Sequence, residues 1–233
     1  LIEIANNRSN PIPVFAEMGS INPIVIMDGA LEQENKKLID QISSSITLGA
    51  GQFCTNPGLI IVKDSSLSDK FINDLSLRLD KTPKQCMLHP NIIKNFIEKS
   101  NYVEKLEGVV KITKNNVFEN NFVMPQICSV SANNFLKNKI YQTEVFGPFS
   151  LFVKCKTYDE MIKVVHNLEG QLTGTIMANI QDKDFINNII NALEVKVGRI
   201  IFNGVPTGVE VCKAMNHGGP YPASSDSRYT SVG

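Results

Sequence analysis

The chain has 233 residues, and its 23 Lys and Arg residues balance its 23 Asp and Glu residues, so the formal net charge is zero. Hydrophobic residues make up 42 % and charged residues 20 %, which is typical of a folded globular protein with one large domain or two small ones. The neutral balance argues against broad nucleic-acid binding, and no apolar run approaches the roughly 20 residues of a membrane-spanning helix.

Short apolar runs predict seven strands, and several of these runs are continuous, as is typical of strands buried in a sheet. The predicted strands are Ile24–Ile26, Leu59–Val62, Val109–Ile112, Phe122–Ile127, Leu151–Cys155, Leu172–Ala178 and Ile200–Phe202.

Amphipathic patterns between these strands predict helices, because their apolar residues recur at intervals of three and four. The predicted helices carry Leu31, Leu38, Ile42 and Ile46 after Asp28; Leu67, Phe71, Leu75 and Leu79; Ile92, Ile93, Phe96 and Ile97 after Pro90; and Phe185, Ile189 and Leu193 after Asp182. Thr157 and Glu160 predict a capping box. Strands that alternate with helices predict an α/β domain with a largely parallel sheet.

Two segments predict irregular structure. The polar stretch Lys114–Asn121 is typical of a surface loop. Beyond Val205 the chain is rich in glycine and proline, and we expect a long ordered loop there.

The five cysteines are odd in number, widely spaced and include no CxxC pair. This pattern argues against a disulfide framework and against a structural zinc site, and it favours a reducing, cytoplasmic setting. No group of residues has the spacing of a metal-ligand cluster, so we expect no metal ion.

The segment GAGQFCTNPG, residues 49–58, is the first candidate for chemistry. Its glycines allow sharp turns, so the loop could present Cys54 as a thiolate nucleophile with a free backbone N–H beside it. A nucleophilic Cys54 is expected to react at a lower pH than an ordinary thiol. The alternative is a buried structural cysteine.

Two further segments carry carboxylates beside glycine. In PIPVFAEMGSINP, Glu17 could activate water as a general base, or it could be a surface or capping residue. In YQTEVFGPFS, Glu144 and Phe146 lie two residues apart and would point the same way from an extended strand end. Such a pair could hold a ribose and lie against a planar ring, or it could be a solvated Glu and a core Phe.

The three histidines give weak signals. His89 and His166 lie on helix-like stretches and are interpreted as structural. His217 precedes two glycines in a loop, where a lone histidine is more often a hydrogen-bonded residue than a catalyst.

Taken together and in this order, EMGS at Glu17, GQFCTNPG at Cys54 and EVFGP at Glu144 resemble the aldehyde dehydrogenase superfamily. The resemblance runs from Pro11 to Gly233. The phrases NGVPTGVEVC and HGGPYPASSDSRYTSVG make it closest to the NADP-dependent subgroup that oxidises 2,5-dioxopentanoate (α-ketoglutarate semialdehyde), which is also similar to fatty-aldehyde dehydrogenases.

This resemblance implies a three-layer α/β/α catalytic domain and a role for each matched residue. Cys54 matches the nucleophile that forms a thiohemiacetal and then a thioester, and its backbone N–H matches half of the oxyanion hole. Glu17 matches the base that activates water to hydrolyse the thioester. Glu144 matches the residue that binds the nicotinamide ribose of NAD or NADP, and Phe146 the residue that flanks the nicotinamide.

The resemblance also carries expectations about the whole enzyme. Residues 1–233 match the catalytic domain, the nucleotide-binding domain and the second oxyanion donor match sequence upstream of it, and residues 1–20 lie near the junction. We therefore expect little dehydrogenase turnover from this fragment alone, and a homo-oligomer for the full-length enzyme, with a small-molecule aldehyde as substrate and no nucleic acid or membrane as partner.

Three alternatives remain open at this point. Relatives that transfer the acyl group to coenzyme A have a similar pattern but often lack the base, so Glu17 favours hydrolysis to the free acid. A non-catalytic protein that kept the fold is a second alternative, and the joint presence of Cys54, Glu17, Glu144 and Phe146 argues against it. The third is a thiol esterase that needs no nicotinamide cofactor.

Overall fold

The computed structural model describes residues 1–33, 35–114, 118–208, 210, 212–213 and 215–228. The strands in this part are β1 (Ile24–Ile26), β2 (Leu59–Lys63), β3 (Gln85–Cys86), β4 (Val110–Lys111), β5 (Phe118–Glu119), β6 (Phe122–Val123), β7 (Gln126–Ser131), β8 (Phe149–Cys155), β9 (Gln171–Met177) and β10 (Val197–Phe202).

The α-helices are α1 (Ile2–Asn6), α2 (Asp28–Gln33), α3 (Asn35–Thr47), α4 (Ser66–Leu79), α5 (Pro90–Glu104), α6 (Ala132–Lys137), α7 (Tyr158–Asn167) and α8 (Lys183–Glu194). Short 3-10 helices cover Leu48–Gly51, Lys139–Gln142, Ile180–Asp182 and Pro206–Gly208. The helix predicted after Asp28 is thus described as two segments, α2 and α3, on either side of residue 34.

A seven-stranded sheet with the order β10-β9-β1-β2-β8-β7-β4 forms the centre of the described fold. Every neighbouring pair is parallel except β4 and β7, which are antiparallel. The prediction of a largely parallel sheet is therefore confirmed. A small antiparallel sheet, β3-β6-β5, lies apart from it.

Helices cover both faces of the large sheet. Successive side chains of a strand point to opposite faces, so one strand contributes to the core on both sides. On one face Ile24 and Ile26 of β1 pack in a cluster with α3 and α4, which contribute Ile42 and Phe71. On the other face Val25 belongs to a second cluster, to which α5, α6, α7 and α8 contribute. The predicted three-layer α/β/α arrangement is confirmed.

Two local predictions were wrong. The run Phe122–Ile127 is not one strand but parts of β6 and β7, which belong to different sheets; Pro125 between them has no N–H to donate to a ladder. Within Lys114–Asn121, Phe118 and Glu119 form β5 rather than loop, and Asn115–Val117 lie outside the described residues.

The capping box predicted at Thr157 forms only in part. The Thr157 hydroxyl accepts a hydrogen bond from the Glu160 N–H at 3.2 Å. The Glu160 carboxylate, however, accepts from the Lys156 N–H rather than from the cap residue itself. The side chain reaches one residue further back than the pattern predicts.

The topology brings the three motif segments together. Residues 17–23 lead into β1, residues 54–58 lead into β2, and residues 144–148 lead into β8. Since β1, β2 and β8 are neighbouring parallel strands, their amino ends lie at the same edge of the sheet. The site described next is built on this edge.

Candidate active site

Cys54 lies in a loop between the 3-10 turn Leu48–Gly51 and β2, and its side chain is exposed. Three successive residues of the turn have a left-handed backbone, with φ of 55° at Gly49, 57° at Ala50 and 67° at Gly51. A Cβ on Gly51 would lie 2.2 Å from the carbonyl carbon of Gly147, so only glycine fits there. The loop therefore packs its backbone directly against the Glu144 segment.

The buried side chain of Asn22 holds the other end of this loop. Its Nδ2 donates to the carbonyl oxygens of Cys54 at 2.8 Å and Asn56 at 3.0 Å. Its Oδ1 lies 3.0 Å from the hydroxyl oxygens of Ser20 and Thr173. The Cys54 loop is thus hydrogen-bonded to the segment that carries Glu17.

Residues 223–225 hold the backbone on either side of Glu17. Glu17 forms an antiparallel bridge with Ser224, flanked by hydrogen bonds from the Met18 N–H to the Ala223 oxygen and from the Ser225 N–H to the Ala16 oxygen, each 2.8 Å long. Its side chain is 19 % exposed. The backbone pairing fixes the direction in which the side chain leaves the loop.

His217 completes the site, although its sequence pattern indicated only a hydrogen-bonded loop residue. Its Nε2 lies 3.2 Å from Glu17 Oε2 and 3.4 Å from Cys54 Sγ, and its side chain is 5 % exposed. One ligating atom from each of these three residues lies within 4.8 Å of the other two. The local signal was the pair Gly218-Gly219: a Cβ on Gly219 would lie 2.1 Å from the Gln171 carbonyl oxygen, and the Gly218 carbonyl oxygen packs against Gly198.

The thiol of Cys54 is held in its protonated form. Partial burial, the charge of Glu17 and a hydrogen bond to the Glu17 carboxylate raise its pKa to about 11, although the backbone N–H groups of Cys54 and Thr55 act in the opposite direction. The direction of this pKa shift is opposite to the expectation that Cys54 reacts at a lower pH than an ordinary thiol, and the labelling profile of Cys54 tests it. The same contacts give the thiol proton an acceptor, the Glu17 carboxylate.

Glu144 and Phe146 line one cleft together with Ser20 and Phe53. Burial raises the pKa of the Glu144 carboxyl, although Lys99 and a hydrogen bond from the Ser20 backbone lower it. A Cβ on Gly19 would lie 2.9 Å from Glu144 Oε2, so the absence of a side chain at Gly19 lets the carboxylate approach the backbone there.

Cys212 is exposed, and His166 lies in the last turn of α7. Cys128 and Cys155 are buried on β7 and β8, and Cys86 is exposed on β3. His89 caps α5, since its Nδ1 accepts the Asn91 N–H at 3.1 Å, as its interpretation as a structural residue suggested.

Residues 2–224 match the sequence profile of the family described as "Aldehyde dehydrogenase family". The chain belongs to this family.

Two bacterial aldehyde dehydrogenases are similar over the whole chain. "Alpha-ketoglutaric semialdehyde dehydrogenase 2" of Azospirillum brasilense is 42 % identical, and the "Alpha-ketoglutaric semialdehyde dehydrogenase" of Acinetobacter baylyi is 38 % identical. Each alignment covers 100 % of this chain and 45 % of the relative, so the chain spans less than half the length of these relatives.

Solved aldehyde dehydrogenase structures share the fold. Betaine aldehyde dehydrogenase from Staphylococcus aureus, solved with NAD⁺, superposes with a TM-score of 0.74 at 24 % identity, over 94 % of this chain and 43 % of that one. The bifunctional proline utilization A protein superposes with a TM-score of 0.81 at 19 % identity, over 99 % of this chain and 24 % of that one.

The described part of the chain has no helix with the length and apolar character needed to cross a membrane.

Proposed function

We propose that this chain is the catalytic domain of an NAD(P)⁺-dependent aldehyde dehydrogenase that oxidises an aldehyde to a carboxylic acid. The observation that carries the proposal is the grouping of Cys54, Glu17 and His217 within 4.8 Å at the amino edge of the sheet. A nucleophile with a base in direct reach is the arrangement that covalent acyl chemistry requires.

The first half of the reaction forms and oxidises a covalent adduct. The Glu17 carboxylate takes the thiol proton and passes it to the solvent, and Cys54 Sγ attacks the aldehyde carbon to give the anion of a thiohemiacetal. The backbone N–H of Cys54 is placed to donate to the oxygen on which negative charge develops. Loss of a hydride from the thiohemiacetal carbon then leaves a thioester on Cys54.

The second half releases the product. Glu17 takes a proton from water, the resulting hydroxide attacks the thioester carbon, and the carbon–sulfur bond breaks to give the carboxylic acid and the free Cys54 thiol. A carboxylate this close to the cysteine supports hydrolysis rather than transfer of the acyl group to coenzyme A.

The Glu144 segment fits a nicotinamide dinucleotide. The Glu144 carboxylate has two oxygens able to accept hydrogen bonds from ribose hydroxyls, and it lines the same small cavity as the Phe146 ring. When bound, NAD⁺ or NADP⁺ supplies the hydride acceptor. Glu144 would hold the ribose, and Phe146 would flank the nicotinamide.

We propose 2,5-dioxopentanoate as the substrate and 2-oxoglutarate as the product. The support is that the two bacterial relatives that align over the whole chain are alpha-ketoglutaric semialdehyde dehydrogenases. We propose that the nucleotide-binding domain and the second oxyanion donor come from outside residues 1–233. Exposed apolar side chains near the start of the chain, Ile4, Ile12 and Phe15, support a domain junction around residues 1–20.

We also propose that the complete enzyme is a homo-oligomer and that it works in the cytoplasm. Apolar side chains exposed on both edge strands of the sheet, Val110 at 60 % on β4 and Phe202 at 53 % on β10, support a covering partner. The five free cysteines support a reducing compartment.

The test compares this chain with a version joined to the nucleotide-binding domain of an aldehyde dehydrogenase relative. Both proteins receive 2,5-dioxopentanoate with NAD⁺ or NADP⁺, and 2-oxoglutarate is measured. We expect turnover from the joined protein and none from the chain by itself. The Cys54→Ser variant of the joined protein should lose turnover, and the matched Cys86→Ser variant should keep it in full.

Two results would contradict the proposal. Turnover that survives Cys54→Ser would remove Cys54 as the nucleophile. A coenzyme A thioester as the main product, when coenzyme A is added, would favour the acyl-transferring alternative.

A further inference from the structure

Arg199 lies against the ring nitrogen of His217 that faces away from Cys54. Arg199 is a half-buried residue of β10, and its Nη2 lies 3.4 Å from His217 Nδ1. The imidazole therefore has the guanidinium group on one side, and Glu17 and Cys54 on the other.

The chemistry of arginine decides which nitrogen of the ring carries the proton. A guanidinium group has five N–H donors and no acceptor, and it keeps its charge in proteins. A neutral imidazole has one N–H and one acceptor nitrogen. Nδ1 can face Arg199 favourably only as the acceptor, so the proton belongs on Nε2.

We propose that Arg199 is a positioning residue that holds His217 as the tautomer with its proton on Nε2. In this form the Nε2–H points at Glu17 Oε2, 3.2 Å away, and at Cys54 Sγ, 3.4 Å away. The catalytic meaning of this tautomer rests on the proposed function, but the tautomer itself does not.

The consequence is a division of roles between two residues that both touch Cys54. An Nε2 that already carries a proton cannot accept the proton of the thiol, so that proton goes to Glu17. His217 instead donates: it stabilises the Glu17 carboxylate in the resting site and the thiolate once the proton has left. A donor in this position also orients the carboxylate for its second task, activation of water.

The same geometry disfavours a metal ion. Glu17, Cys54 and His217 together form a donor set that Zn²⁺ accepts. A metal bound to Nε2 would require the proton on Nδ1, where it would face the N–H groups of Arg199. Histidines that bind a metal donate their other N–H to an acceptor, and Arg199 offers none.

Nitrogen NMR measures this tautomer directly. The chain has three histidines, so a sample labelled with ¹⁵N only at histidine gives three ring systems, and the His217→Asn variant assigns one of them. At pH 8 we expect Nδ1 of His217 to have the shift of an unprotonated ring nitrogen and Nε2 that of a protonated one. The ring shifts of His89 and His166 report whether each variant is folded.

Two variants test the role of Arg199. Arg199→Glu places only acceptors beside Nδ1, and we expect Nδ1 to gain a proton and its shift to move to the protonated position. Arg199→Lys retains a donor, and we expect the wild-type pattern. If Arg199→Glu changes the ring shifts of His89 and His166, that variant is not folded like the wild type, and Arg199→Met is measured instead. In Arg199→Met we expect the Nδ1 shift of His217 to move part of the way toward the protonated position.

The proposal is overturned if Nδ1 is protonated in the wild-type chain, or if the folded variant without a donor keeps the wild-type pattern. Neither result depends on catalysis. Conversely, aldehyde oxidation that survives Cys54→Ser would defeat the proposed function and leave the tautomer assignment intact.

Discussion

The side-chain amide of Asn22 donates a hydrogen bond of 2.8 Å to the carbonyl oxygen of Cys54. Asn22 is 1 % exposed and has a left-handed backbone with φ of 43°. It connects the two segments that carry the proposed base and nucleophile, which makes it the structural link of the site although it touches no reacting atom.

We expect Asn22→Ala to destabilise the chain by roughly 2–4 kcal/mol, because it leaves buried carbonyl and hydroxyl groups without a partner. The urea unfolding midpoint measures the loss. Asn203→Ala is the matched control, since Asn203 also has a positive φ, of 49°, and accepts one hydrogen bond from Ala178. Equal effects of the two variants would mean that backbone strain, rather than the link to Cys54, explains the loss.

The close approach of Gly51 and Gly147 gives a second prediction. Gly51→Ala combines a left-handed backbone with a Cβ 2.2 Å from a carbonyl carbon, and we expect a loss of roughly 2–5 kcal/mol from strain and overpacking. Gly204→Ala is the control, because its nearest atom is a methyl of Ile201 at 3.2 Å. A Gly51→Ala chain as stable as the Gly204→Ala chain would show that the loop can move away from Gly147.

The third prediction concerns the pH dependence of Cys54. With a pKa of about 11, only about one thiol in a thousand is ionised at pH 8, and we expect its alkylation rate to rise about tenfold per pH unit from pH 7 to 10. Iodoacetamide labelling followed by peptide mass spectrometry gives the rate at each cysteine.

Glu17→Gln should lower that pKa, since both the charge of Glu17 and its hydrogen bond raise it. Labelling of Cys54 should therefore accelerate at pH 8. Glu169→Gln removes a more exposed carboxylate, paired with Lys139, and should leave the profile unchanged. A wild-type profile that levels off below pH 9 would be incompatible with this environment.

The fourth prediction separates the two tasks of Glu17. At pH 9, where more thiolate forms without a base, an activated aryl acetate should acetylate Cys54 in the Glu17→Gln chain and remain attached. In the wild-type chain Glu17 activates water and the acetyl group is released. Peptide mass spectrometry shows whether the adduct is on Cys54, and Cys54→Ser should carry no adduct at that position. Equal release rates in the two chains would assign water activation to another residue.

Much of the large sheet was predictable, because buried parallel strands are continuous apolar runs and need only local sequence to be seen. Leu59–Val62 and Leu151–Cys155 are such runs. The prediction of one strand over Phe122–Ile127 was wrong because Pro125 interrupts it. The apolar residues on both sides of Pro125 concealed this interruption. The short pairing of Phe118 and Glu119 has no hydrophobic pattern to reveal it.

The site was predictable only where a short segment carried it. Cys54, Glu17 and Glu144 each lie in a recognisable motif, whereas the contacts of Asn22, Arg199 and His217 join segments far apart in the sequence. His217 and Cys54 are separated by 163 positions, so no local pattern could reveal their contact. The high pKa of Cys54 follows from the same long-range packing.

The pairing of Glu17 with Ser224 also sets an order of events during synthesis. Ala16 and Ser225, which flank this pairing, are 209 residues apart. At about 5–20 residues per second, a ribosome completes the partner segment roughly 10–40 s after Glu17 has been made. The thiol of Cys54 therefore acquires a positioned base and His217 only after the segment around Ser224 has been made.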